Sequence, residues 1–288
     1  MINILFVVPE LKENPLSTKI FLSFALLIII GYIIWNFWGL IETIWVEHIS
    51  PKPFYNHVYL KKQKLPEEQK FILKTQFSFY QKLNRQKQSY FEHRVARFIE
   101  AHQFKGKQGI KIDDQKKVLI SATAIMLTFG YRDYMIKSLD KFLIYPDAFY
   151  SNINKALHKG EFNPGYKAIV FSWEDFMQGY DISNDNFNLG IHEIVHAIHF
   201  DFLRPSNESI SASIFINQYN KLLQFLKSNK TYKNNLVKSK YIRNYAFTNS
   251  FEFIAVLIEA FFETPLELRN QFPEMYRYVK KMLNFEMK

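Results

Sequence analysis

The longest feature of the hydrophobic pattern lies near the N-terminus. From Ile20 to Ile41 no residue is charged, and Leu, Ile, Phe and Trp dominate. A helix rising roughly 1.5 Å per residue over that stretch crosses a hydrocarbon core of about 30 Å. Trp35, Trp38 and Trp45 gather at its C-terminal end, where indole rings favour the headgroup level. A signal peptide has a shorter apolar region that ends in small residues, and a buried helix rarely lacks a polar face over such a length. The pattern predicts one transmembrane helix over residues 20–41, after an N-terminal tail over 1–19. Lys12 and Lys19 precede the span, and Lys52, Lys61, Lys62 and Lys64 follow it. That distribution does not orient the helix by itself.

Residues 42–66 hold Pro51, Pro53 and Pro66 among several lysines and read as a juxtamembrane linker to a domain over 67–288. From Glu67 to about Phe104 the apolar positions Phe71, Leu73, Phe77, Tyr80 and Leu83 follow a helical rhythm. A second helix is expected from Asp114 towards Phe129, opened by an Asp pair suited to capping. Lys141–Tyr145 and Lys167–Trp173 have the apolar, β-branched character of strands, with a loop marked between them by Gly160, Pro164 and Gly165. A further helix follows Thr248, Asn249 and Ser250, carried by Phe251, Ile254, Ala255, Leu257 and Ile258. Helices, then strands, then helices again make the fold class α+β, mainly helical with a small sheet.

Composition narrows the chemistry. With 48% hydrophobic and 22% charged residues the chain is folded rather than disordered. The absence of cysteine excludes disulfides, thiolate ligands and a cysteine nucleophile, and leans towards a reducing compartment. The net charge of +10 is spread over lysine pairs such as Lys116-Lys117, with no Arg-rich block or helix-turn-helix signature, which argues against nucleic acid as a partner.

The chemistry concentrates in Asn188-Leu-Gly-Ile-His-Glu-Ile-Val-His-Ala-Ile-His-Phe200, preceded by the capping candidates Asn184, Asp185 and Asn186. Ile191, Val195, Ile198 and Phe202 form a core-facing stripe. Beside it, His192 and His196 stand four apart on one helix face, so both imidazoles reach one ion, with Glu193 next to a metal-bound water. Catalytic zinc takes three protein ligands and keeps a fourth position open. Beyond Asp201 there is no further His, Cys or Asp, and between Glu208 and Glu252 no carboxylate. A third ligand is therefore sought at Glu252 or, two turns on, at Glu259. Against the first stands a plain capping role, with Asn249 as N-cap and Glu252 at the third helical position.

From about Lys70 to Phe272 the chain resembles the Mlc titration factor A family of zinc peptidases, zincins whose third ligand is a glutamate. The matching stretches are Gly109–Asp114 with Val118–Ala122, Tyr145–Phe149, Val170–Phe176, the histidine motif, and Tyr245–Phe253 through Phe261–Pro265. The resemblance implies a zincin-like fold and a single zinc ion held by His192, His196 and Glu252. It also implies Glu193 as catalytic base and a catalytic role for Tyr245. It further implies aminopeptidase-like action on a peptide or small protein, and a sugar-regulated transcriptional repressor as partner. The family's cytoplasmic habit, together with the missing cysteine and the lysines after the span, places the expected peptidase domain on the cytoplasmic side of the membrane. Two departures stand out: the added apolar helix, and His199, where the family motif usually continues with Asp.

The mechanism these residues predict is hydrolysis by a zinc-activated water with Glu193 as base. The oxyanion is then steadied by zinc and Tyr245, and substrate is laid along an edge strand at Ile169–Ser172. The competing reading is a zinc-containing binding module that sequesters a repressor with little or no catalysis. Another is a membrane-tethered adaptor whose basic surface engages anionic lipid.

Overall fold

In the computed structural model, which describes residues 15–151, 155–181 and 186–285, the chain divides into two units, Met1–Ile44 and Trp45–Lys288. The first contains a single helix among its described residues, α1 (Leu16–Ile44), whose apolar side chains are exposed along nearly all of its length. It starts before residue 20 and runs past the expected end at 41. Its length and hydropathy suffice to cross a membrane. Of the expected N-terminal tail, residues 1–14, with Lys12, lie outside the described residues.

The second unit opens with a π-helical turn, Trp45–Ile49. The segment read as a linker is laid along the domain. Val46 and Leu65 are buried, the Asn217 side chain donates to the Glu47 carbonyl at 3.1 Å, and Gln63 N–H donates to His93 Nδ1 at 2.8 Å. Its main anchor is the fully buried Arg94, which donates to the carbonyls of Asn56, Thr128, Phe129 and Tyr131. A buried guanidinium is tolerated because most of its donors find oxygen.

The helical stretch expected over 67–104 is broken into α2 (Glu67–Gln76), a single turn α3 (Ser78–Gln81) and α4 (Arg85–Ala101), and ends in strand β1 (Gln103–Gly106). The breaks have local causes. Phe77 is extended between α2 and α3, and Asn84 caps α4 by accepting from Lys87 N–H, an alternative to the helical bond that Asn readily offers. Helix α5 (Asp114–Thr128) starts where expected, with Asp113 as its N-cap. It is apolar nearly all round because it is buried nearly all round, packed by α2 and α4.

Strands β2 (Lys141–Tyr145), β3 (Phe149–Ser151), β4 (Ala156–His158), β5 (Gly160–Asn163) and β6 (Ala168–Ser172) follow. Strands β3 and β4 form a separate hairpin, and the main sheet has the order β1-β2-β6-β5. The first three are parallel and β5 runs antiparallel to β6, with Phe162 opposite Ile169. Two expectations are corrected here. The segment from Gly160 is a strand rather than loop, and only Pro164–Lys167 turns. Strand β6 is also interior, so the free edge on this side of the sheet is β5. An alternation test misses β5 because all four of its residues are half-buried.

Helices α6 (Trp173–Asp181) and α7 (Leu189–Leu203) come next, then α8 (Ile210–Ser228) and α9 (Lys230–Ser239). After them come a 3₁₀ turn (Asn244–Phe247), α10 (Ser250–Glu263), α11 (Pro265–Gln271) and α12 (Pro273–Met282). Helix α7 is central, touching α5, α6, α8, α10, β5 and β6. The stripe Ile191, Val195, Ile198 and Phe202 is buried, as its spacing predicts. The fold is α+β, mainly helical with small sheets, as a zincin-like domain requires.

Candidate metal centre

The site begins with how α7 begins. Asn188 is its N-cap, accepting from Ile191 N–H at 3.0 Å, while its amide donates to the Gly179 carbonyl at 2.8 Å. One side chain thus joins the end of α6 to the start of α7 and sets where the histidines point. Of the caps expected upstream, Asn184 and Asp185 lie outside the described residues. Asn186 is in the left-handed region with φ of 57° and accepts from the Thr264 hydroxyl instead.

Helix α10 crosses α7 and brings in the carboxylates. Asn249 caps it, accepting from the N–H groups of Phe251 and Glu252. The first half of a capping box is present, but the Glu252 side chain does not turn back to close it. Glu252 Oε2 lies 3.0 Å from His192 Nε2 and 3.3 Å from His196 Nε2, and the two Nε2 atoms are 3.0 Å apart. Four-coordinate zinc with bonds of about 2.0–2.1 Å separates its donors by about 3.3 Å at tetrahedral angles. The triangle has the size such an ion needs.

Glu259 has a different place. It is fully buried, with Oε1 2.7 Å from His192 Nδ1 and 2.7 Å from Arg243 Nη2, while Oε2 accepts from Asn188 N–H at 2.8 Å. This carboxylate holds the imidazole from behind and accepts a hydrogen bond from its Nδ1–H, which in the neutral ring leaves the lone pair on Nε2. Neutral His192 then faces Glu252 Oε2 acceptor to acceptor, a contact that needs a cation between them. Without a metal, a proton fills that role. Burial lowers the His192 pKa, but hydrogen bonds to Glu252 and Glu259 outweigh it and raise the value to about 9. Burial raises Glu252 too, and the two imidazoles reverse that and hold it well below the carboxylate range. The donor set and its spacing fit a divalent metal ion.

Glu193 is buried beside the triangle, and burial raises its pKa despite the nearby histidines and a hydrogen bond from Phe162 N–H. Gly160 makes this possible. A Cβ there would stand 2.8 Å from both Cγ and Oε1 of Glu193, so strand and carboxylate approach only where no side chain intervenes. Tyr245 is about half exposed on the other side of the site, its ring 6.2 Å from the His192 ring. Burial, and then Glu252, push its hydroxyl up to about 12, so it remains a proton donor at neutral pH. A cleft of about 360 Å³ opens here, lined by His158, Gly160, His192, Glu193, Arg243 and Tyr245 among others.

His199 is not part of the cluster. It is fully buried, and neither ring nitrogen has a hydrogen-bond partner among the described residues. The ring stacks on Phe251 at 4.2 Å and meets Tyr219 edge-on at 4.5 Å. Burial, and then His196, lower its pKa to about 4, so it serves as a neutral aromatic filler.

The structure thus brings together all five residues expected at the site. It adds three that the sequence reading did not single out: Asn188, Arg243 and Gly160. Asn188 carried a signal, an Asn directly before a helical run. Arg243 carried none, since its partner Glu259 is brought to it only by the packing of α10.

The sequence profile of the glucose-regulated metallo-peptidase M90 family matches residues 53–283. The chain belongs to that family. It is the Mlc titration factor A family that the motifs resemble, and the match extends over nearly the whole second unit. An uncharacterized protein of Synechocystis sp. is 26% identical over 237 residues, covering 75% of this chain and 83% of the relative. Membership carries metallopeptidase-type function and peptide substrates, in keeping with the convergence of two imidazoles and a carboxylate.

Proposed function

We propose that this chain is a membrane-anchored, zinc-dependent peptidase in which His192, His196 and Glu252 hold one zinc ion and Glu193 is the general base. The observation that carries the reading is the donor triangle of 3.0, 3.0 and 3.3 Å, whose His192 lines an open cleft together with Glu193. Bound there, zinc would supply a Lewis acid and lower the pKa of a water towards neutrality.

The protein's own groups do the rest. Glu193, its proton affinity raised by burial, accepts a proton from the attacking water and returns it to the leaving amine. Tyr245 donates its hydroxyl to the carbonyl oxygen as negative charge develops. Glu259 and Arg243 keep the His192 ring oriented. Strand β5, at the sheet edge beside the cleft, is the element to which an extended peptide would add. A cleft of about 360 Å³ suits a short peptide, in keeping with the aminopeptidase-like action the family resemblance implies.

Helix α1 serves as the anchor, on the strength of its length and exposed apolar surface. The cytoplasmic side is proposed for the peptidase domain, and a transcriptional repressor remains the proposed protein partner, both through the resemblance.

The test is zinc content and peptide turnover for the full chain in mild detergent, wild type beside Glu193→Gln. One zinc in each, with turnover reduced about 10²–10⁴-fold in the variant, is expected. Zinc in both and turnover in neither, across a broad peptide set, identifies a binding module that sequesters a partner. No zinc in either ends the metal-centre reading.

A further inference from the structure

The second unit begins immediately after α1, and the first residues of that unit form a wall shared by two clefts. One, of about 410 Å³, lies between residues 46–51 and helices α8 and α12, with His48, Lys221, Arg277 and Lys281 on its lining. The other, of about 560 Å³, shares Glu47, His48 and Lys221 with it. Lys221 therefore stands at the divide.

The charges in the first cleft do not balance internally. Arg277 is paired with Glu274, and Glu47 is 4.0 Å from His48. Lys221 and Lys281 have no ion-pair partner among the described residues. They are close enough to oppose one another: burial, then Arg277 and then Lys221, hold Lys281 below the ordinary lysine range. Cations gathered in a concavity are costly to fold together unless an anion joins them.

The segment that follows the cleft wall in sequence has a second character. Ile49, Val58 and Leu60 are 65%, 67% and 107% exposed, interleaved with Lys52, Lys61, Lys62 and Lys64. Apolar groups and lysines mixed on one exposed segment match the interfacial layer of a bilayer, where alkyl groups enter and ammonium groups meet phosphate.

We propose that the cleft of Lys221 and Lys281 binds the phosphate of an anionic phospholipid headgroup and so seats the peptidase domain on the leaflet next to its anchor. The proposal rests on α1 being a membrane anchor. Covalent connection makes it effective. Ser50 is six residues from Ile44, so the cleft wall is within roughly 20 Å of the helix end however the two units are arranged. The tether supplies a high local concentration, which matters because charge attraction fades within about 8 Å at physiological salt. Nucleic acid fits less well, since two unpaired lysines in a pocket do not track a polyphosphate backbone.

The experiment uses the full chain in nanodiscs of phosphatidylcholine, with or without phosphatidylglycerol, and follows amide hydrogen exchange. One cation near an anionic surface is worth about fivefold in affinity, so amides of 46–51 and of α8 are expected to exchange several-fold more slowly in the anionic discs. The Lys221→Gln/Lys281→Gln double variant is expected to lose that difference, with exchange in α7 and α10 unchanged, and Lys221→Arg/Lys281→Arg to regain it. Equal exchange of the wild type in both discs, with the chain retained in each, overturns the lipid site alone. Protection reproduced in neutral discs by inorganic phosphate overturns the lipid as its source. A chain that leaves neutral vesicles under an alkaline wash refutes the anchor and takes this proposal with it.

Discussion

His192 shows how much one side chain depends on what stands behind it. Its Nε2 faces Glu252 and His196, and its Nδ1 faces Glu259, which is itself neutralised by Arg243. Replacing Glu259 by Gln keeps the shape but weakens this hold, and zinc affinity is expected to fall about 10–100-fold, measured by competition with a chelator. Unchanged affinity would remove Glu259 from the site. The proton that His192 would carry in place of a metal sets a pH dependence. With its pKa near 9, His192 is protonated at neutral pH without metal, so uptake of zinc must release that proton. Affinity should therefore fall about tenfold for each pH unit below 9 through this group alone, and calorimetry in buffers of different ionisation enthalpy would count the protons. Uptake without proton release would contradict the hydrogen-bonding scheme. Both histidines and Glu193 were readable from their spacing, because four residues bring two side chains to one face of any α-helix. Arg243 was not, because 16 residues and a change of element separate it from Glu259.

Three elements decide the geometry: α7, α10 and the edge strand β5. Asn188 and Asn249 cap the two helices, and each cap fixes a start point and hence a rotation about the helix axis. The choice between Glu252 and Glu259 turns on that rotation. Seven residues apart, they lie on nearly the same face of α10, one at the histidines' Nε2 side and the other behind His192. Strand β5 contributes absence rather than a side chain. Gly160→Ala would drive a methyl group into Glu193, and the expected result is at least a tenfold loss of turnover with zinc content unchanged, read from steady-state kinetics and metal analysis. Wild-type turnover in that variant would show that β5 yields readily and does not hold Glu193. The strand period was legible where one face is buried, as in β2, and α7 was legible from its apolar stripe although it is buried nearly all round. The periods failed over Glu67–Phe104, where caps at Phe77 and Asn84 break an uninterrupted apolar rhythm, and at β5, where no face is fully buried.

As a whole the molecule joins a strongly apolar helix to a basic domain whose first twenty residues lie along its surface rather than hanging free. With α1 as the proposed anchor, the covalent tether raises the local concentration of the domain at the membrane, and substrate is then expected to be met there. If the domain is cytoplasmic, protease added to sealed right-side-out vesicles is expected to leave it intact and to digest it once the vesicles are opened. Digestion before opening would reverse the orientation.

Local pattern alone was enough for the apolar helix, for the α7 stripe and the zinc-type motif, and for the family. The first three depend on residues close in sequence whose spacing maps onto a regular element, and the family on the order of several short stretches along the chain. Folding settled the rest: which carboxylate meets the histidines and which supports them, which strand is the edge, and that the proline-rich segment is a strap. The carboxylate roles turn on contacts between distant residues, Arg243 with Glu259 at 16 positions and His192 with Glu259 at 67. No local rule reaches that far, because burial and hydrogen bonding are completed only when the elements pack.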